Sequence, residues 1–341
     1  MMKTYSWIGF SVPLVLGLLQ SLSAEASQNK LYRNSTAHFL GAEDLLQSRG
    51  ITEDKITHLL FEAALAQSIY RGDTGSSVAH SLSMPSRYRE IPLNAEVHHG
   101  NNKKGKFLML ASLKTKTLYI VFKGTDFTNL QDVLADALAY KMGRFRGKKK
   151  IAALGFVDMY EALDYAMFRK EGRSIGKHVE ELLKKYVDNI VIIGHSLGGA
   201  LANLLYYDLI AGPDFQFDPR TVRLVTYGSP RTFSEEVADE LQEICQQSCM
   251  RVVNHGDFVT TLPRAKSGFK HFGETYYISK KQGWNITNEK QSFSAPVMGD
   301  PRNHKIGQYI TRLLKAGESE FGASFGDAFR REYTDQLESE I

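Results

Sequence analysis

The chain has 341 residues, with 42 lysine and arginine against 38 aspartate and glutamate side chains and a net charge of +4. A hydrophobic share of 43% and a charged share of 23% exclude a wholly disordered chain, a fibrous repeat and a multi-span membrane protein. The small net charge does not indicate nucleic-acid binding, and we expect no nucleic-acid partner. Two cysteines, Cys245 and Cys249, are too few for a disulfide scaffold or a four-cysteine zinc site, and we predict no metal.

The first 26 residues have the pattern of an export signal. Lys3 precedes an apolar run from Ile8 to Leu19, and a small-x-small cleavage site ends at Ala26. The run is too short to cross a bilayer, which takes ~20 residues. We therefore predict a signal peptide over residues 1–26 and a secreted or periplasmic protein, with an uncleaved anchor as the alternative. In such an oxidising location the two cysteines either pair or remain free.

Alternating apolar segments predict one α/β domain over residues 27–315, followed by a polar C-terminal extension over 316–341. The predicted helices cover 56–69, 155–168, 174–186, 197–210, 234–244 and 305–315. The predicted strands cover 107–113 and 118–123, as a hairpin, and 189–193, 222–226 and 250–254. Residues 71–105, rich in Gly, Ser, Pro and Asn, are predicted to form a loop. The order of elements predicts a mainly parallel sheet with helices on both faces.

The strongest chemical signal is a serine between a predicted strand and a predicted helix. Gly194, Ser196 and Gly198 fit the pattern G-x-S-x-G, after the strand 190–193 and at the start of the helix from Leu197. This position is typical of a nucleophile elbow, which raises the serine hydroxyl above the sheet at a helix N-terminus. The backbone N–H of Leu197 then becomes one oxyanion donor. A glycine-rich turn with a serine helix cap is the alternative interpretation.

A serine nucleophile needs a base, and the base needs an orienting acid. In this architecture the acid and then the histidine follow the serine along the chain. Asp257, just after the strand 250–254, and His304, just before the last helix, keep that order. His271 is the rival base, since His255 lies too close to Asp257 in sequence. The rival acids are Asp208, Asp214, Asp218 and Asp300.

A second oxyanion donor is expected at the end of an earlier strand. Thr125 follows the strand 118–122 directly after Gly124, and we predict that its backbone N–H, with its hydroxyl, supplies this donor. A plain strand-to-turn glycine is the alternative.

Five segments of the chain together resemble the class 3 lipase family, the fungal-type α/β-hydrolases. They are residues 119–125, 190–202, 226–231, 254–263 and 271–274. The resemblance runs from about residue 59 to residue 314, and it implies an α/β-hydrolase-like fold with a lid insertion after the oxyanion strand. It also implies that His271 is structural.

The implied lid covers about residues 126–150, beginning with an amphipathic stretch over Asp126–Ala135 and ending in a basic stretch, Arg144–Lys150. A mobile lid of this kind covers the serine in water and folds back at a lipid surface. The basic stretch is either a solvated loop or an element that attracts the anionic head groups of a membrane.

The sequence therefore predicts an exported serine lipase with Ser196 as nucleophile, His304 as base, Asp257 as acid and Thr125 and Leu197 as oxyanion donors. Its expected partner is a lipid substrate or a lipid–water interface, with triacylglycerol first among substrates. The chemistry needs no metal or organic cofactor. A phospholipase or general carboxylesterase on the same site, and a non-catalytic lipid-binding protein, are the alternatives.

Overall fold

A computed structural model describes residues 51–71, 93–99, 103–112, 115–124, 141–167, 174–185, 187–215, 217–245, 247–280, 284–288 and 300–327. The predicted signal peptide, Thr125 and the amphipathic part of the predicted lid, Asp126–Ala135, lie outside these residues. Among the residues described, no helix has the length and apolar character to cross a membrane.

The main elements of the described residues are twelve strands and six α-helices. The strands are β1 (Leu93–His99), β2 (Lys103–Ser112), β3 (Thr117–Phe122), β4 (Met142–Phe145), β5 (Lys148–Ala153), β6 (Asn189–His195), β7 (Val222–Tyr227), β8 (Phe233–Ser234), β9 (Cys249–Asn254), β10 (Phe269–Lys270), β11 (Glu274–Lys280) and β12 (Trp284–Asn288). The helices are α1 (Glu53–Ser68), α2 (Leu154–Met167), α3 (Ile175–Lys185), α4 (Leu197–Ile210), α5 (Glu235–Cys245) and α6 (Ile306–Phe321).

Eight strands form one sheet in the order β1-β2-β3-β6-β7-β9-β11-β12. The five strands from β3 to β11 are parallel, and β1, β2 and β12 are antiparallel to their neighbours. The mainly parallel sheet predicted from the sequence is confirmed. Because parallel strands end at one edge, the residues after β3, β6, β7 and β9 meet at the carboxyl edge of the sheet.

Both faces of the sheet are covered, so its central strands are apolar throughout. On β6, Ile190 and Ile192 belong to a core shared with α4 and α2, and Val191 and Ile193 are buried on the opposite face. On that opposite face α1 packs against β6 and β7, and α6 packs against α1. This is the two-sided burial expected of a parallel sheet with helices on both faces.

Helix α1 shows how the local sequence sets a boundary. The Thr52 hydroxyl accepts the backbone N–H of Lys55 at 3.3 Å, and Glu53 and Asp54 lie in the first turn. A hydroxyl cap and early acidic residues both stabilise a helix N-terminus. The helix therefore begins three residues before the apolar pattern that predicted it.

Several segments differ from their predictions. Within the predicted loop 71–105, residues 93–99 form strand β1, which pairs antiparallel with β2 at the edge of the sheet. The basic stretch is a β-hairpin, β4–β5, in a second sheet of order β10-β8-β5-β4. Lys148, Lys149 and Lys150 are exposed on β5, whereas residues 151–153 are buried. The last helix also extends to Phe321, beyond the predicted end at residue 315.

Candidate active site

Ser196 occupies the sharp turn between β6 and α4. Its backbone has φ 59° and ψ −129°, and the residue is 1% exposed. A positive φ is costly for a residue with a Cβ and is found mainly where surrounding structure enforces it. The backbone N–H of Ser196 donates to the carbonyl of Tyr227 at 3.0 Å, which ties the turn to the neighbouring strand β7.

The two glycines of the G-x-S-x-G pattern allow the turn to close. A Cβ on Gly194 would lie 2.2 Å from the carbonyl oxygen of Gly198, and a Cβ on Gly198 would lie 2.2 Å from the carbonyl oxygen of Phe122. Strand β6, helix α4 and the end of β3 are therefore in backbone contact around the serine. Leu197 begins α4, and the first N–H groups of a helix have no acceptor within it. This location suits the oxyanion donor that the sequence predicts.

His304 and Asp257 form a buried pair at the same edge of the sheet. Nδ1 of His304 lies 2.8 Å from Oδ2 of Asp257, and the two side chains are 2% and 0% exposed. Asp257 follows β9, and His304 ends the short turn Pro301–His304 before α6. Because a carboxylate accepts hydrogen bonds, Nδ1 carries the proton and Nε2 of the neutral ring remains a proton acceptor.

Two further donors hold the carboxylate of Asp257. The Tyr309 hydroxyl donates to Oδ2 at 2.6 Å, and the backbone N–H of Val259 donates to Oδ1 at 2.9 Å. Burial, followed by the charge of Asp257, raises the pKa of Tyr309 well above its usual value, so this hydroxyl keeps its proton. The sequence reasoning did not identify Tyr309, whose role depends on a contact across 52 residues.

Packing at the ends of β3 and β7 brings the serine and the His–Asp pair together. A Cβ on Gly124 would lie 2.9 Å from Cβ of Ser196, and a Cβ on Gly228 would lie 3.0 Å from Nδ1 of His304. The ring of His195, next to Ser196, lies 4.8 Å from the ring of His304 between centroids. In the described part of the chain, Oγ of Ser196 and Nε2 of His304 are both buried without a hydrogen-bond partner. A buried polar atom without a partner is costly, and a catalytic role is one explanation for such an atom.

The rival base, His271, lies in a structural contact. Its Nε2 donates to the carbonyl of Thr260 at 2.7 Å, and burial, followed by the charges of two arginines, lowers its pKa well below the usual value. One of these arginines, Arg231, donates to the carbonyls of Thr261 and Pro263 at 2.5 and 2.7 Å. His271 and Arg231 therefore hold the loop that follows Asp257.

The rival acids lie in other contacts. Asp208 accepts hydrogen bonds from Arg146 and Tyr160, whereas Asp218 and Asp300 each accept the backbone N–H two residues later at 2.9 Å. Asp214 is exposed. The carboxylate that contacts His304 is that of Asp257.

Within the part of the chain that the structure describes, the cysteines and the acidic and imidazole side chains are not arranged as a metal centre. Cys245 and Cys249 are buried free thiols. Across the described ranges, no group of three or more His, Cys, Asp and Glu side chains is arranged to hold a metal ion.

Sequence comparison identifies relatives over the part of the chain that carries the serine and Asp257. Residues 119–267 match the family model described as lipase (class 3). The lipase of Rhizopus niveus is 30% identical over 174 residues, which are 50% of this chain and 41% of that protein. The lipase of Rhizomucor miehei is 29% identical over 165 residues, 48% of this chain and 42% of that protein. Phospholipase A1-IIdelta of Arabidopsis thaliana is 29% identical over 128 residues, 37% of this chain and 28% of that protein. The chain thus spans less than half the length of these curated relatives.

Solved structures show the same fold over a larger part of the chain. The lipase of Rhizopus microsporus var. chinensis superposes with a TM-score of 0.58 at 19% identity, covering 74% of this chain and 87% of that one. A triacylglycerol lipase with a serine protease triad as its catalytic centre has a TM-score of 0.58 at 21% identity, covering 75% and 95%. The α/β-hydrolase-like fold predicted from the sequence is confirmed. The matched family model, the fungal relatives and the shared fold agree, and the matched part of the chain, residues 119–267, is similar to the class 3 lipases.

Proposed function

We propose that the protein is a serine lipase that hydrolyses acyl ester bonds of lipids, with triacylglycerol as its substrate. The observation that carries the proposal is the coincidence of three features at one edge of the sheet. They are the strained Ser196 at φ 59°, the 2.8 Å His304–Asp257 pair, and the unpartnered buried atoms Ser196 Oγ and His304 Nε2 within the described residues. These are the parts that a nucleophile, a base and an orienting acid require.

The proposed reaction proceeds in two steps. Oγ of Ser196 attacks the ester carbonyl carbon while Nε2 of His304 takes the hydroxyl proton, and the N–H groups of Leu197 and Thr125 bind the oxyanion. His304 then gives its proton to the leaving alcohol, and an acyl-enzyme forms on Ser196. Water attacks this ester with His304 again as base, the bond between the acyl carbon and Oγ of Ser196 breaks, and His304 returns the proton to Oγ as the fatty acid leaves. Asp257 stabilises the imidazolium that forms in both steps.

A phospholipase A1 is the second candidate, because the match to the Arabidopsis enzyme named phospholipase A1-IIdelta covers 128 residues. The catalytic parts are shared, so the two candidates differ in the lipid that reaches Ser196. The substrate distinguishes them: release of fatty acid from emulsified triacylglycerol supports the lipase, and release from phosphatidylcholine vesicles alone supports the phospholipase.

We also propose that the lipid surface meets the carboxyl edge of the sheet, where the ester bond must reach Ser196. The turn of the basic hairpin does not lie there. Arg146, at its turn, binds Asp208, which is twelve residues along α4 from Ser196 and therefore about 18 Å away at 1.5 Å per residue. A membrane that contacted this turn would lie away from the serine. We therefore assign the contact with anionic head groups no role in presenting the substrate.

The proposal includes export, carried by the signal pattern in residues 1–26. N-terminal sequencing of the mature protein is expected to begin at Ser27, and a mature chain that retains the leader would contradict cleavage.

Active-site labelling tests the proposed chemistry. Wild-type protein is expected to form one fluorophosphonate adduct on Ser196 and to hydrolyse both emulsified triacylglycerol and a soluble short-chain ester. Ser196→Ala is the control and is expected to lose labelling and hydrolysis while remaining folded. Absence of an adduct in folded wild-type protein would refute the proposal and favour a non-catalytic lipid-binding protein.

A further inference from the structure

The histidine that precedes Ser196 is bound at both of its ring nitrogens. Nε2 of His195 lies 2.7 Å from the backbone carbonyl oxygen of His304, and Nδ1 lies 2.7 Å from the hydroxyl of Tyr70. His195 is 4% exposed, and its ring is tilted by only 30° from the ring of His304. This places a fully hydrogen-bonded imidazole directly between the elbow and the residue that we propose as the base.

The chemistry of the two partners fixes the tautomer of His195. A carbonyl oxygen only accepts, so Nε2 must carry the proton that it donates to His304. In the neutral ring Nδ1 is then an acceptor, and the Tyr70 hydroxyl is its donor. Burial, followed by the charge of His304, lowers the pKa of His195 well below the usual value, which keeps the ring neutral when His304 takes a proton.

Tyr70 connects this histidine to the end of β3. It lies on the turn Ile69–Arg71 directly after α1, and its ring meets the ring of His195 edge-on at 5.6 Å. A Cβ on Gly124 would lie 2.3 Å from the Tyr70 hydroxyl and 2.9 Å from Cβ of Ser196. The Tyr70 hydroxyl therefore fills the space between the end of β3 and the turn that carries Ser196.

We propose that Tyr70 and His195 are positioning residues that hold the backbone of His304 in register with Ser196. The inference rests on the proposed function, in which His304 is the base. Asp257 orients the imidazole of His304 through Nδ1, and Nδ2 of Asn254 donates to the carbonyl of Asn303 at 3.1 Å, but both contacts join the turn Pro301–His304 to the end of β9 and not to the serine. The bond from His195 to the His304 carbonyl fixes the main chain to the elbow itself. A displacement of the reacting groups by about 1 Å from their productive positions can lower the reaction rate by up to ~100-fold.

Three variants separate positioning from simple structural support. His195→Gln keeps an N–H donor near the position of Nε2, His195→Leu removes it, and Tyr70→Phe removes only the hydroxyl that sets the tautomer. Tyr206→Phe is the matched control, since it removes a buried hydroxyl on α4 that contacts Ser248 at 3.3 Å, on the far side of the sheet from His304. Each is assayed for kcat and KM on a soluble short-chain ester, for fluorophosphonate labelling rate and for Tm.

His195→Leu is expected to lower kcat by about tenfold or more with KM within about twofold, because one hydrogen bond to the base is lost. His195→Gln is expected to recover most of that loss, and Tyr70→Phe to lower kcat by roughly threefold. Tyr206→Phe is expected to retain the wild-type kcat. Equal kcat for the Gln and Leu variants, or a wild-type kcat for Tyr70→Phe, would overturn the proposal. If His195→Leu does not fold, Tyr70→Phe and His195→Gln decide the question.

A spectroscopic arm separates this inference from the proposed function. Two-bond ¹H–¹⁵N spectra of the wild-type protein are expected to show His195 as the neutral Nε2–H tautomer. An Nδ1–H or doubly protonated ring would overturn the hydrogen-bond chain even in an active enzyme. Conversely, a correct tautomer in a protein that fluorophosphonate does not label would refute the proposed function, and with it the positioning role.

Discussion

The hydroxyl of Tyr309 and Nδ1 of His304 both bind the same carboxylate oxygen, Oδ2 of Asp257, at 2.6 and 2.8 Å. The tyrosine lies on α6 and the aspartate follows β9, so the helix that begins after His304 also contributes to the orientation of its acid. Asp257 thus has three donors, two on Oδ2 and one on Oδ1.

Tyr309→Phe removes one of these donors and leaves the aromatic packing in place. A hydrogen bond to a charged group contributes about 1.5–3 kcal/mol, and we expect the free energy of unfolding to fall by that amount. We expect kcat on a soluble ester to fall about tenfold, because the carboxylate gains freedom to rotate away from His304. Denaturant unfolding and steady-state kinetics check both results. An unchanged kcat with reduced stability would show that Tyr309 supports only the fold.

The strained turn at Ser196 leads to a prediction on stability. Ser196→Ala and Ser196→Gly both lack the nucleophile and are expected to be inactive. At φ 59° glycine carries no Cβ penalty, so the Gly variant is expected to exceed the Ala variant in free energy of unfolding by about 1 kcal/mol. Urea unfolding of the two inactive proteins measures the difference. Equal or reversed stabilities would mean that the turn stores no strain at this residue.

Much of this candidate site could be predicted because short local sequence motifs identify its residues. The elbow at Ser196 needs two glycines next to it and a strand and helix on either side, all within a few residues of each other. Asp257 and His304 follow from the chain order that such an elbow imposes. The contacts of Tyr70 with His195 and of Tyr309 with Asp257 join residues 125 and 52 positions apart. No periodicity or spacing in the sequence encodes those distances.

The strands that the sequence did not predict were missed for a related reason. Strand β1 is an edge strand in which Leu93, Ala95 and Val97 alternate with polar residues, a strand pattern, but the run is short and the Gly100, Asn101 and Asn102 that follow it favour a loop. In β5 three successive lysines precede three buried residues. The three lysines interrupt the apolar pattern from which a strand is predicted. They are compatible with a strand here because the first residues of β5 are exposed to water.

The assignment of His304 and not His271 as base has a direct kinetic test. His304→Ala is expected to lower kcat at least ~1,000-fold, as loss of a triad member does in other serine enzymes. His271→Ala removes a 2.7 Å bond to Thr260. It is expected to lower Tm while retaining fluorophosphonate labelling at more than about a tenth of the wild-type rate. The reverse result, with His271→Ala inactive and His304→Ala active, would show that the base is His271.

The β4–β5 hairpin is fixed to the core by a buried ion pair. Nε of Arg146 lies 2.6 Å from Oδ1 of Asp208, and the side chains are 7% and 0% exposed. Arg146→Met leaves the carboxylate buried without this cation and is expected to lower the free energy of unfolding by about 3–5 kcal/mol. Arg146→Met with Asp208→Asn is expected to recover part of the loss, since the amide oxygen still accepts from Tyr160.

Lys177→Met is the matched control for this pair. Its partner is Glu180 at 2.6 Å on the exposed face of α3, and such surface pairs contribute less than about 1 kcal/mol. Chemical unfolding of all three variants gives the comparison. A loss below 1 kcal/mol for Arg146→Met would show that the hairpin is not held by this contact.

Glu62 gives a prediction on the pH dependence of stability. It lies on α1 in contact with Arg223 of β7 at 2.8 Å, and burial raises its pKa to about 7 even though the arginine lowers it. A carboxyl group whose pKa is raised on folding contributes stability that is fully present below the unfolded value of 4.5 and is lost as pH rises through about 7. At ~1.4 kcal/mol per pH unit, the contribution of Glu62 to the free energy of unfolding is expected to fall by about 3 kcal/mol between pH 4.5 and 8.

Glu62→Gln keeps an acceptor for Arg223 and is expected to remove most of that fall. Glu236→Gln, at an exposed position in the first turn of α5, is the control and is expected to leave the fall unchanged. Urea unfolding at a series of pH values measures both slopes. An identical slope in Glu62→Gln and wild type would show that Glu62 is already ionised in the folded protein at pH 5, with Arg223 outweighing the cost of burial.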